Sequence, residues 1–154
     1  MSTRSYIVKQ ISDEKCVGIY CHNDGYIDYL GKLLYENYNN SKSVDEILAL
    51  GDISFLTDKL YPDPSKPHGF EFDERQDGVT VAYGRDRGEE DTGAKEYTLE
   101  EVEDLISYVD YIYLFSKDDK WLVLSLGEEE LGFQNLADKV NCIYDEIYDV
   151  MEMD

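Results

Sequence analysis

Positive charge is scarce in this chain. Its 154 residues hold 14 lysines and arginines against 35 aspartates and glutamates, a formal net charge of −21. A chain this acidic repels phosphates instead of releasing their counterions, so direct binding to nucleic acid is not expected. Cysteine is also sparse: Cys16, Cys21 and Cys142 form no C-x-x-C pair and no secretory signal precedes them. That usage reads as a reduced, cytoplasmic protein. The longest apolar run, WLVLSL at 121–126, falls far short of the about 20 residues that a membrane helix needs, so no transmembrane segment is expected.

Several site chemistries lack their motifs. The glycines form neither G-x-G-x-x-G nor a phosphate-binding G-x-x-x-x-G-K-S/T, and there is no serine-hydrolase elbow and no D-x-[DN]-x-[DN]-G calcium loop. The two histidines, His22 and His68, combine with Cys21 in no standard metal-ligand spacing. No metal and no cofactor is expected.

What the chain does hold is 42% hydrophobic residues and 13% aromatics, enough to bury a core and consistent with a single globular domain over 1–154. SYIVKQI (5–11) and KCVGIYCH (15–22) read as a hairpin around Ser12-Asp13-Glu14. Tyr26, Leu30, Leu33, Leu34 and Tyr38 then recur at helical spacing. Asn39-Asn40 ends that helix, and Ser43 with Glu46 forms a capping box for a second, shorter one that stops at Gly51. Pro62, Pro64 and Pro67 mark a surface loop at about 61–78. GVTVAYG (78–84) alternates as a half-buried strand and RDRGEEDTGAKE (85–96) is a charged loop. Thr98 and Glu101 form another capping box, opening a helix lined by Val102, Leu105, Ile106 and Val109. YIYLFS and WLVLSL flank the turn 117–120 as a second hairpin, and an acidic C-terminal helix follows at about 136–152. The order ββαα-β-α-ββ-α predicts an α+β domain, an antiparallel sheet of about five strands packed with three to four helices.

Three concentrations of residues invite a functional reading. In IYCHNDGY (19–26) the strand alternation sends Cys21 and His22 to opposite faces, which disfavours a nucleophile–base dyad. Asn23-Asp24-Gly25 then reads as a strand-to-helix turn, with Gly25 supplying positive φ and Asn23 or Asp24 capping the helix start. Arg85 and Arg87 could grip a phosphate or carboxylate from a loop, or neutralise neighbouring acids. From residue 96 onward, seventeen carboxylates face three lysines. Along the last helix Asp138, Asp145, Asp149 and Glu152 fall at intervals comparable with duplex phosphates, and with Glu128, Glu129 and Glu130 they form the candidate partner-binding row. Physically, such acidity fits a solvated surface, cation sites, or a surface that imitates a polyanion. Exposed tyrosines among these carboxylates suit a protein-binding surface.

Several stretches together resemble a family of small acidic proteins encoded in bacteriophages and prophages: STRS (2–5), GIYCHxDGY (18–26), LGxLLxxxY (30–38), LGDIS (50–54), AYGRDRGEE (82–90) and YxYLF…WLV (111–123). The chain departs from that pattern at Asn23, where tryptophan is common, and at Gly84, where histidine is common. The resemblance carries over no active-site residue. It implies a phage or mobile-element setting, in which small acidic accessory proteins often block host defence. The leading expectation is therefore a non-enzymatic inhibitor whose acidic surface mimics DNA on a basic nucleic-acid-binding partner, such as a CRISPR effector or a restriction enzyme. The alternative is a module that binds a small ligand, a signalling nucleotide, through His22, Asp24, Tyr26, Arg85 and Arg87.

Overall fold

The computed structural model describes residues 2–141. The two hairpins predicted from β-rich runs around short polar turns are its spine. Strands β1 (Ser5–Gln10) and β2 (Lys15–Cys21) pair antiparallel, as do β6 (Tyr111–Phe115) and β7 (Trp121–Ser125). The hairpins join through β1 and β6, which run parallel from Ser5↔Tyr111 to Lys9↔Phe115. Their common start is fixed where the Arg4 carbonyl accepts from the Asp110 amide at 2.9 Å.

The sheet is therefore mixed and larger than the antiparallel sheet of about five strands that the pattern predicts. Strands β3 (Ile53–Phe55), β4 (Val81–Ala82), β5 (Lys95–Thr98) and β8 (Gln134–Asn135) bring it to eight strands, in the order β4-β3-β2-β1-β6-β7-β8. The outer edge of β2 is shared, antiparallel to β5 at its start and parallel to β3 at Cys21↔Ile53. These added strands are two to four residues long, too short to show a period-2 pattern.

Each face of the sheet carries its own core. On one face Ile7, Ile19, Tyr113, Phe115, Trp121 and Val123 pack beneath helices α1 (Lys32–Asn37) and α2 (Ser41–Ala49), joined by Leu136 and Val140 from the helical stretch 136–141. On the other, Val8, Cys16, Ile112, Leu114 and Leu124 lie beneath Val102 of α4 (Leu99–Asp104) and Val109. Helix α4 opens with the predicted box: Thr98 and Glu101 exchange side-chain and backbone hydrogen bonds.

Other local readings are corrected. Helix α2 is capped by Asn40, whose Oδ1 accepts from the Ser43 amide at 2.9 Å, so Ser43 lies inside the first turn. The strand over 78–84 reduces to Val81–Ala82, because helix α3 (Tyr83–Arg87) begins at once and ends on Gly88 at φ 73°. Between β2 and α1 a wide π-type turn, Ile27–Gly31, replaces regular helix, and Tyr26 at its head is 38% exposed rather than core.

The strand-to-helix turn inverts the predicted glycine role. Positive φ falls on Asp24, at 57°. Gly25 instead permits close approach: a Cβ there would sit 2.7 Å from Ser5 Oγ and 2.9 Å from the Thr3 carbonyl. Gly25→Ala is expected to cost about 1–3 kcal/mol through overpacking, whereas Asp24→Gly stays within about 1 kcal/mol of the parent. Urea denaturation of both variants checks the assignment.

Candidate functional site

The turn after β2 places its polar residues separately. His22 lies with Tyr20 on one face, the Tyr20 hydroxyl 2.8 Å from His22 Nδ1. Cys21 points into the opposite core, where burial pushes its thiol up to about 12. A thiol so held is not a thiolate at neutral pH, and no Cys-His dyad forms. Asn23 does not cap a helix: its side chain accepts from Ser2 Oγ at 2.6 Å and donates to Ser54 Oγ at 3.0 Å. Tyr26, the residue before the π-turn, has no side-chain cap, and Asp24 is exposed.

The arginine pair is divided. Arg85 donates to the Leu60 carbonyl at 2.5 Å and the Thr80 carbonyl at 2.7 Å, and grips Asp86 through Nε at 2.9 Å and Nη2 at 3.0 Å. Its bidentate carboxylate is thus inside the chain. Asp86, with its side chain 3% exposed, also accepts from the Ala82 amide at 2.8 Å, and His68 Nε2 lies 3.3 Å away. His68 Nδ1 accepts from the Gln76 amide at 3.0 Å, so the neutral ring carries its proton on Nε2, toward Asp86. Nδ1 thus serves the fold, while Nε2 is buried beside Asp86 without hydrogen-bond geometry to a partner among the described residues. Gln76 ties the proline-bearing loop further, its Oε1 accepting from Asp63 N at 2.8 Å and its Nε2 donating to the Asp63 carbonyl at 2.9 Å. Arg87 reaches further into solvent, its side chain 55% exposed against 25% for Arg85, with Glu89 4.0 Å from its Nε and its guanidinium 5.0 Å above the Phe70 ring.

The carboxylates gather at the far edge. Glu128, Glu129 and Glu130 are exposed on a 3₁₀ turn, Glu129–Leu131, after β7. The amides of Gly127 and Glu129 hold the Glu129 carboxyl below its ordinary value, so it is ionised at neutral pH. Asp138 is exposed on the helical stretch 136–141, while Asp145, Asp149 and Glu152 lie outside the described residues. A groove of about 220 Å³ runs between this turn and α4, with Glu103 on one bank, Glu129 on the other and Ile106, Leu124 and Phe133 between. Glu100, Glu103 and Asp104 of α4 are exposed and extend the acidic edge. The sequence signal for them was the capping box, which fixes the phase of α4 and hence which of its acids face outward. Against this edge the structure sets Lys139, 3.9 Å from Glu128. No helix among the described residues is long and apolar enough to cross a membrane.

No family model matches the chain, and neither curated proteins nor solved structures give a match.

The Asp86 cluster sets a pH dependence. Burial alone would raise its carboxyl, but the Arg85 hydrogen bonds, the Ala82 amide and His68 together hold it below the ordinary value. Its contribution is therefore complete above the unfolded pKa of about 3.9 and is lost as pH falls through the lower folded value. Arg85→Ala is expected to cost about 2–3 kcal/mol at neutral pH by stranding Asp86. Denaturation midpoints across pH should show that deficit shrinking as pH falls below about 4 and on through the lower folded value of Asp86.

Proposed function

We propose that the chain is a phage- or prophage-encoded, non-enzymatic inhibitor that binds a basic nucleic-acid-handling protein of the host cytoplasm, of the CRISPR-effector or restriction-enzyme kind. Its acidic surface takes the place of DNA there. The observation that carries the reading is the edge where the outward acids of α4 and the turn 128–130 flank one groove with Lys139 as their near cation. Carboxylates left without counter-charges repel one another at a cost to stability, a cost that a basic partner removes on binding. Asp138, Asp145, Asp149 and Glu152 would continue the row.

Such a surface steers association and weakens with salt. The apolar floor formed by Ile106, Leu124 and Phe133 adds the desolvated centre that charge by itself lacks. The rival clamp built on Arg85 and Arg87 loses one of its two cations to Asp86, Leu60 and Thr80.

The test pairs capture from host lysate at low and high salt with binding measurements on the purified captured protein. Lysine at Glu128, Glu129 and Glu130 is expected to weaken binding at low salt at least tenfold, about 1.4 kcal/mol, and charge reversal at Asp145, Asp149 and Glu152 to weaken it further. Unchanged affinity in both variants would overturn the proposal.

A further inference from the structure

The sheet face opposite α1 and α2 is only partly covered. Helix α4 closes it over Val8, Cys16 and Leu114, and the other end, where β1 begins and β2 ends, is left to side chains of another kind. Tyr6 and Tyr20 are cross-strand partners with ring centroids 5.6 Å apart, and Tyr97 adds a third ring 6.4 Å from Tyr6. His22 follows Tyr20 on the same face, its ring 5.8 Å away. Arg4 precedes β1 at the position opposite His22, just beyond the Ser5↔Cys21 pair. Tyr108, 73% exposed, stands beside Arg4 in an open cleft of about 570 Å³ that Ser2, Ser107 and Leu126 also line.

Arg4 is the cation at this end of the sheet. In a chain with 35 carboxylates, its guanidinium makes no ion pair and no side-chain hydrogen bond among the described residues; its backbone alone is engaged, donating to Asp110 Oδ2 at 3.1 Å and accepting from the Asp110 amide. Across the strand, His22 Nδ1 is occupied by the Tyr20 hydroxyl. In the tautomer in which that phenol donates to Nδ1, the ring N–H is Nε2, which makes no hydrogen bond among the described residues. Burial keeps the phenol protonated, opposed by the nearby Arg4 charge. A free guanidinium and an open imidazole N–H are an anion's partners, and the tyrosine rings beside them are stacking platforms for a planar base.

We infer that this end of the sheet binds a nucleoside phosphate, its phosphate between Arg4 and His22 and its base against Tyr6, Tyr20 or Tyr108. Two acids bound the ligand's charge. Asp110 faces the same cleft, and Asp52 lies at the Tyr20 edge, where its carboxylate accepts from the Tyr20 amide at 2.9 Å. With a net charge of −21 around them, they admit one phosphate group and repel a polymer of phosphates. The site is independent of the acidic edge and of its partner.

The full chain, titrated at constant ionic strength with AMP, GMP, CMP and UMP, tests this by calorimetry and thermal shift. Free nucleosides and inorganic phosphate are separate arms. At least one nucleotide is expected to bind at or below about 1 mM and to raise the melting temperature, with nucleoside and phosphate each giving less. Arg4→Ala should weaken that nucleotide about tenfold or more. Tyr20→Phe, which frees His22 Nδ1, should weaken it severalfold, and Lys42→Ala on α2 should not change it. Circular dichroism establishes that the variants fold. The inference is overturned by the absence of binding for all four nucleotides, by inorganic phosphate matching the best of them, or by undiminished binding to a folded Arg4→Ala.

Discussion

A single buried hydrogen bond sets the geometry on which both faces depend. Tyr113, at the centre of β6, donates through its hydroxyl to the Gly25 carbonyl at 2.7 Å. That bond fastens the strand-to-helix turn to the sheet from a residue 88 positions away. It works because Gly25 has no side chain to hold Ser5 and Thr3 at a distance, so the turn descends onto the first strand. With the turn seated, the π-turn and α1 lie across the sheet. Tyr29 and Tyr38 can then donate to the Leu56 and Thr57 carbonyls at 2.6 and 2.5 Å, and Trp121 to the Tyr38 carbonyl at 3.0 Å. Each of these aromatic groups packs on the core and also donates to a backbone carbonyl at the end of a helix or in a loop.

The same seating sorts chemistry between the faces. Cys21 goes inward and His22 outward because strand residues alternate, and the turn begins only after His22, whose amide still bonds to Ile53 of β3. The consequence for function is negative on one side and permissive on the other. Cys21 is sealed among apolar side chains, with its thiol pushed up to about 12. His22 stays at the open end of the sheet with Tyr20, opposite Arg4, which precedes β1.

Legibility in the sequence tracked the length of the signal. Strands of five residues or more, rich in β-branched and aromatic residues around polar turns, and a helix start with both members of its box, were readable because each residue type repeats a demand of the same geometry. β3, β4 and β8 were not, since two or three residues carry no period. β5 has four residues, of which only Tyr97 is even partly buried, so its pairing with β2 rests on backbone hydrogen bonds that leave little side-chain trace. The parallel β1–β6 contact was also hidden, because the hydrophobic pattern of a hairpin is the same whichever way its neighbour runs. Arg85 was the hardest to read. Adjacent Arg85-Asp86-Arg87 looks like an exposed charged loop, and nothing local tells that a proline-bearing loop folds over the first arginine and leaves the second in solvent.

How this chain distributes its few cations is the remaining physical point. Lys9 reaches from the sheet to Ser41 and Asp45 of α2, both at 2.7 Å, and Arg85 anchors a loop; each spends its charge internally. Lys117 pairs with Asp13, fastening the two hairpin turns to one another. The α4 edge receives almost none, and at the open end of the sheet the Arg4 guanidinium makes no ion pair among the described residues, although Asp110 lines the same cleft. A random scatter of 35 acids among 14 bases would tend to pair the minority charge wherever it is exposed. Setting Arg4 beside tyrosines, without an ion pair among the described residues, while crowding carboxylates on α4 and the turn 128–130, separates two electrostatic environments on one small fold. Screening over about 8 Å at physiological salt keeps them distinct, so one surface can repel what the other admits.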